Sequence, residues 1–234
     1  MSETMSSVKR DIVTIDGPSG VGKSTMSRKV AAALGYTYLD TGAMYRAVGV
    51  CLQQLQVDLN DEQAVRAILA GLKLQLFPAG QGDGDVGVVV NGQDVSSAIR
   101  TPEAGMLASR VSAIPAVRER LTGIQQEIGR CGRIVAEGRD TGTVVFPDAR
   151  WKFYLEAAPE ERARRRVAQL QSAGQEVDAQ ETLAMIIKRD RDDQERTLAP
   201  LQQAIDAVMI DTTGLDIQAV CGKMLAVVQK GSRV

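Results

Sequence analysis

Short apolar runs rich in β-branched residues alternate with amphipathic stretches along most of this chain. Asp11 to Ile15 is such a run, closed by Gly17, and predicts a buried strand. Ser24 to Leu34, rich in Ala, predicts a helix stopped near Gly35. Tyr36 to Leu39 reads as a second short strand. From Gly42 onward, Met44, Val48, Cys51, Leu52 and Leu55 recur at helical spacing. Asp61 to Gly71 reads as a further short helix.

The period then changes. Leu72, Leu74 and Leu76 alternate as in a strand, and Gly87 to Val90 runs into Asn91-Gly92, a pair suited to tight hairpin turns. Gly80 to Gly87 reads as a flexible polar turn, because its acidic residues lack the rest of a calcium-binding loop. Residues 71–100 therefore predict a small β-rich insertion. Val117, Leu121, Ile124 and Ile128 mark another helix. Strands are expected again at Arg133 to Ala136, Trp151 to Leu155 and Ala207 to Ile210. Helices are expected at Pro159 to Ala173, Glu181 to Asp193 and Leu215 to Gln229. Five short strands separated by helices predict an α/β fold with a mostly parallel sheet covered on both faces. The length suits one domain over residues 11–234, behind a polar tail of residues 1–10.

Composition narrows the chemistry. A formal net charge of −1 gives no bulk basic field for nucleic acid or an anionic membrane, and aromatics at 3% leave no stacking platform for single strands. No apolar run approaches membrane-spanning length, and the first ten residues lack the apolar stretch of a signal peptide. Cys51, Cys131 and Cys221 lie far apart without paired spacing. They are expected to be small apolar residues near the core, in a reducing cytoplasmic compartment. Histidine is absent, which removes Ser-His-Asp and Cys-His nucleophile systems and every histidine-ligated metal site. Chemistry must then run on carboxylates, Lys, Arg, hydroxyls, backbone amides and a borrowed metal ion.

Gly17-Pro18-Ser19-Gly20-Val21-Gly22-Lys23-Ser24 supplies such chemistry. It fits the phosphate-binding G-x-x-x-x-G-K-[ST] pattern at every defined position, between an expected strand and an expected helix. Backbone N–H groups can turn inward around phosphate oxygens only where glycine permits unusual φ angles. The helix behind adds the positive end of its dipole. Lys23 then reaches the β- and γ-phosphates of ATP, Ser24 can ligate Mg²⁺, and Thr25 completes the loop's exit. A guanine-reading Asn-Lys-x-Asp is missing, and Asp211-Thr212-Thr213-Gly214 reads as a strand-to-turn junction rather than a GTPase motif.

Further motifs are more specific. Ile15-Asp16-Gly17-Pro18-Ser19-Gly20 together with Leu39-Asp40-Thr41-Gly42-Ala43-Met44-Tyr45-Arg46 closely resembles bacterial cytidylate kinases. The resemblance continues through Asn91-Gly92 with Asp94-Val95, then Ile99-Arg100-Thr101-Pro102-Glu103. It continues through Glu137-Gly138-Arg139-Asp140-Thr141-Gly142 up to Asp148, and ends in Arg189-Asp190, Asp193 and Arg196 before Pro200-Leu201. These motifs occur in the family's order and span nearly the whole chain. Thr41 stands where some relatives carry Ser, which keeps the hydroxyl.

The resemblance implies a P-loop nucleoside-monophosphate-kinase fold: a five-stranded parallel sheet covered by helices, a small β-rich insertion in the monophosphate-binding region, and a helical lid over about residues 157–175. It implies phosphoryl transfer from ATP, with Mg²⁺, to CMP or dCMP in a chain that is commonly monomeric. Thr41, Arg46, Arg139 and Arg196 look like acceptor contacts, the arginines on its phosphate. Arginine suits that work because its planar fork stays charged and binds phosphate oxygens in pairs. Asp140, Arg118 and Ser109 look like the base-reading set, since a carboxylate accepts from the cytosine N4 amino group and is repelled by the O4 of uracil. Arg189 and Asp193 share a helix face, as a surface ion pair or as the family's ribose clamp.

Arg162, Arg164, Arg165 and Arg166 crowd one helix end. Four like charges repel unless an anion lies opposite, so they form either a solvated face or the lid's catalytic arginines. Arg162, Arg165 and Arg166 lie at helical offsets of three and four and are expected to converge on one anion, with Arg164 aimed elsewhere. Two alternatives stay open: a kinase for another monophosphate such as UMP, and a nucleotide sensor without turnover, although the latter predicts a degraded acceptor site.

Overall fold

The computed structural model describes residues 10–77, 85–172 and 174–231. Of the tail expected at residues 1–10, residues 1–9 lie outside the described residues and Arg10 instead opens the first strand; most of the polar turn at 80–87 also lies outside them.

Five strands form one parallel sheet. They are β1 (Arg10–Asp16), β2 (Thr37–Asp40), β6 (Ile134–Gly138), β7 (Ala149–Glu156) and β8 (Val208–Asp211), in the spatial order β2-β6-β1-β7-β8. β1 is central and buried because its run of β-branched residues has packing partners on both faces. Its side chains alternate. Val13 and Ile15 face one apolar cluster, with Val21 of the loop after β1, Met26 and Val30 of α1 (Lys23–Leu34) and Val220 and Met224 of α8 (Ile217–Gly231). Ile12 faces the other, larger cluster, which takes in Met44, Val48 and Leu52 of α2 (Thr41–Gln54), Val111 of α4 (Pro102–Ser112) and Leu121 of α5 (Pro115–Ile128). Each large apolar side chain fully buried here contributes roughly 1.5–3 kcal/mol.

Between α3 (Glu62–Ala70) and α4 lies a separate antiparallel sheet of β3 (Leu74–Phe77), β4 (Gly87–Val90) and β5 (Gln93–Asp94). Asn91 and Gly92, with φ of 51° and 86°, form the two-residue turn from β4 to β5 that their sequence favours. Leu72, expected to start a strand, is instead buried in the bend before β3. Cys51 and Cys221 are buried as expected, whereas Cys131 is exposed. Among the described residues no helix is long and apolar enough to cross a membrane.

α4 is the element the hydrophobic pattern does not announce. Its start is nevertheless written in Thr101-Pro102-Glu103: the Thr101 hydroxyl accepts from the Ala104 N–H at 3.2 Å, and Pro102 stands at the first helical turn. Two further long helices, α6 (Pro159–Ser172) and α7 (Ala179–Glu195), pack on each other, and α7 also packs on α4.

Candidate active site

Most of the predicted site residues lie just after the carboxyl ends of β1, β2 and β6, or on helices that reach those ends, where an open parallel sheet offers a crevice. The phosphate loop leaves β1 at Gly17. Its φ is +147°, and a Cβ there would stand 2.2 Å from the Leu155 carbonyl oxygen, so only glycine lets the loop turn against β7. The loop ends in α1, whose first-turn amides have no intrahelical acceptor and face the crevice. Lys23 Nζ donates to the Pro18 carbonyl at 2.6 Å, which curls the side chain back over the loop. Burial pulls the Lys23 pKa well below its ordinary value. Arg139 and Arg189 add to that, while Glu137 and Asp16 oppose it. A polyphosphate arriving at the loop reverses this pull, because its charge favours the ammonium form. Ser24 is exposed at the mouth.

The region beyond β2 and β6 is built from paired charges. The Asp140 carboxylate, buried just beyond β6, accepts from Arg118 Nη2, and Arg196 Nη2 stands 3.6 Å from its other oxygen. Arg118 also donates to the Ser112 carbonyl at 3.2 Å and lies 5.5 Å over the Tyr45 ring. Arg139 Nε donates to Asp193 at 2.8 Å, carrying α7 onto the end of β6. Burial alone pushes the Asp193 carboxyl up, but Arg139, with Arg189 and Arg196 behind it, holds it below the ordinary range. Arg189 is pushed down to about 10 by burial and by Arg139, and its Nε is buried with no hydrogen-bond partner. Arg46 meets Asp40 at 3.1 Å. The Thr41 hydroxyl donates to the Glu137 carbonyl at 2.6 Å.

Two groups of expected site residues rest on other partners here. Ser109 is half-buried on α4, where its carbonyl accepts from the Ser112 hydroxyl. It is Ser112 that joins the arginines, its hydroxyl lying 3.3 Å from Arg196 Nη1. The α6 arginines do not converge. Arg162 is buried and donates to Ala157 and Ser19 carbonyls and to Asp190, at 2.9, 3.1 and 2.6 Å. Arg165 turns to Glu161 and to the Thr212 carbonyl at the end of β8, each at 2.8 Å. Arg166 meets Gln169 and lines a cavity of about 570 Å³ with Arg100, Thr101 and Glu103. Arg164 points to solvent and pairs with Glu161, as expected. Long side chains swing wide of one another, so helical spacing alone does not fix a common target.

Asp16 and Glu137 carry no role in the sequence reading, although both sit inside quoted motifs. The available signal is a carboxylate at the carboxyl end of an otherwise apolar strand. Asp16 accepts three hydrogen bonds from Thr141 and Gly142. Burial raises the Glu137 carboxyl, with Asp40 adding to it, while Lys23, Tyr38 and Ser24 oppose. Tyr38 donates to its Oε1, and its Oε2 is buried without a hydrogen-bond partner.

The arrangement sets a glycine-rich loop and its lysine beside a group of paired, buried arginines and carboxylates. Comparison with known proteins agrees. The sequence profile of the cytidylate kinase family matches residues 13–230. A cytidylate kinase of Syntrophotalea carbinolica is 47% identical, over 95% of this chain and 94% of its own. One from Nitratidesulfovibrio vulgaris is 49% identical over 92% and 90%. In Synechococcus elongatus, a bifunctional pantoate ligase/cytidylate kinase is 47% identical over 93% of this chain and 42% of its own. A solved structure of an uncharacterized protein from Eubacterium ventriosum shares the fold, with a TM-score of 0.54 at 10% identity over 95% of this chain and 99% of that one.

Proposed function

We propose, from the premise that this chain belongs to the cytidylate kinase family, that it transfers the γ-phosphoryl group of ATP to CMP or dCMP, giving ADP and the diphosphate. The observation that carries the reading is the buried Asp140–Arg118 pair facing the same crevice as Lys23.

The acceptor nucleophile is a phosphate oxygen already ionised at neutral pH, so no general base is needed. That fits a chain without histidine. Catalysis is then positioning and charge neutralisation. The residues from Gly17 to Thr25 hold the ATP phosphates, with Lys23 across the β- and γ-groups. Arg46, Arg139 and Arg196 hold the acceptor phosphate near Thr41. Asp140, Arg118 and Ser109 read cytosine, and Arg189 with Asp193 holds the ribose. Of the α6 arginines, Arg162 is nearest the phosphate loop through Ser19 and turns to the γ-phosphate on closure. Arg165 and Arg166 must leave Thr212 and Gln169 to join it.

A magnesium ion would be held by Ser24 and, through water, by Glu137. Among the described residues no cluster of three acidic or thiol ligands exists, and the unpartnered Glu137 Oε2 fits an ion that takes most of its ligands from phosphate and water. When bound, the ion neutralises charge on the β- and γ-phosphates. Small nucleotides as partners, a monomeric chain and a cytoplasmic location complete the reading, with no nucleic acid or membrane partner.

Coupled ADP-formation kinetics with CMP, dCMP, UMP and AMP offered separately test it. CMP or dCMP should exceed UMP in kcat/KM by more than about tenfold, the least that one misplaced charged hydrogen bond costs. Lys23→Ala should lower kcat by about 10²- to 10³-fold with an unchanged circular dichroism spectrum. A preference for UMP or AMP, or a Lys23→Ala enzyme keeping more than about a tenth of wild-type activity, overturns the reading.

A further inference from the structure

We propose that Asp16 is a positioning residue for the acceptor, tying the Thr141–Gly142 backbone to the end of β1 so that Asp140 and Arg139 stand at a fixed place beside the phosphate loop. The inference rests on the CMP-kinase reading and adds to it a residue that touches neither nucleotide.

Asp16 is the last residue of β1 and immediately precedes Gly17. Strand alternation sends its side chain away from α1, to the face that carries Thr14. There it is buried, 4% exposed. Oδ1 accepts from the Thr141 N–H at 2.9 Å and the Thr141 hydroxyl at 2.7 Å, and Oδ2 accepts from the Gly142 N–H at 2.7 Å. These are the first two residues of the π-helical turn Thr141–Val145, so the carboxylate fixes the chain directly after Asp140. Asp140 in turn accepts from Val144 and Val145 N–H groups through its own carbonyl, at 2.9 and 3.2 Å, closing the turn on itself.

Packing leaves this turn no other seat. A Cβ on Gly142 would stand 2.8 Å from Thr14 Oγ1 and 3.3 Å from Asp16 Oδ2, so the backbone lies hard against β1. On its far side the Asp140 carboxylate is gripped by Arg118. Asp140 thus sits between an anchor on the sheet and a clamp from α5. The anchor needs a carboxylate. Three donors converge on two acceptor oxygens, and an amide in the same place turns an NH₂ group against an N–H.

The test uses Asp16→Asn and Thr141→Val in the full chain. Steady-state kinetics at saturating ATP give kcat and KM for CMP and for UMP. Calorimetric titration of ATP without acceptor gives its Kd. Asp16→Asn should raise KM for CMP by about 10- to 100-fold and lower the CMP:UMP ratio of kcat/KM, with Kd for ATP within about twofold of wild type. Thr141→Val removes one of the three bonds and keeps both backbone donors. It should shift the same two quantities in the same direction by about two- to tenfold. If Asp16→Asn does not fold, Thr141→Val decides alone. An unchanged CMP:UMP ratio in the folded variants overturns the proposal, as does a loss of ATP affinity equal to the loss for CMP, which makes Asp16 a brace for the phosphate loop. A wild-type enzyme that ignores CMP overturns the CMP-kinase reading instead, a result visible before any variant is made.

Discussion

At the scale of single residues, Asp140 answers to two requirements. Its carboxylate balances the buried Arg118 guanidinium, and under the proposed function it presents a fixed acceptor to the base. Asp140→Asn separates them. An amide can rotate to donate to O4 of uracil, so kcat/KM for CMP should fall by about 10- to 150-fold, the worth of one hydrogen bond to a charged group, while UMP loses less. Arg118 also loses its counter-charge, and breaking a buried pair from one side costs about 3–5 kcal/mol, so the melting temperature should fall as well. The CMP:UMP ratio, measured at a temperature where the variant is folded, distinguishes base reading from lost stability. A constant ratio means Asp140 does not read the base. Asp140 is legible in the sequence because it belongs to a contiguous motif. Ser112, which accepts from Arg118 and Arg196, is not, because nothing in one helix tells which of two serines a distant arginine reaches.

At the scale of elements, α6 shows what spacing can and cannot establish. Its arginine density suggests an anion opposite when read from spacing, yet Arg162, Arg165 and Arg166 rest on three different partners. The four single alanine variants should therefore differ. Arg162→Ala removes contacts to Ser19 and Asp190 together, and should lower kcat by about 10³-fold and also the melting temperature. Arg165→Ala and Arg166→Ala should lower kcat less and leave stability nearly intact, since their contacts are half-exposed. Arg164→Ala, an exposed pair with Glu161, should change either quantity little. Steady-state kinetics with ATP and CMP varied separately, with thermal melts alongside, give the comparison. Four variants alike and near wild type would make α6 a solvated face. α4 shows the converse: its hydrophobic period is weak, but Thr101-Pro102 caps and starts it, a signal carried by turn chemistry rather than apolar spacing.

At the scale of the whole molecule, Asp193 joins α7 to the sheet through Arg139, so its ionisation bears on the stability of the assembled fold. Its carboxyl is held below the ordinary range in the folded protein. The stabilisation is therefore present above the unfolded value of about 4 and is lost as pH falls through the lower folded value. Asp193→Asn should melt lower than wild type at pH 7 and lose less further stability on acidification below about pH 4. Parallel melting curves across pH would show that the pair contributes nothing. The sequence by itself determined the alternation of strands and helices, the hairpin at Asn91-Gly92 and the phosphate loop, because each depends on neighbours a few residues away. It also determined the family, through motifs in order along the chain. Only the tertiary structure decided which charges meet. Asp16 and Thr141 are 125 positions apart, and Arg139 and Asp193 are 54 apart. The first pair exists because parallel strands bring distant carboxyl ends side by side and the second because α7 meets the end of β6, and burial there makes each unpaired charge costly enough to select its partner.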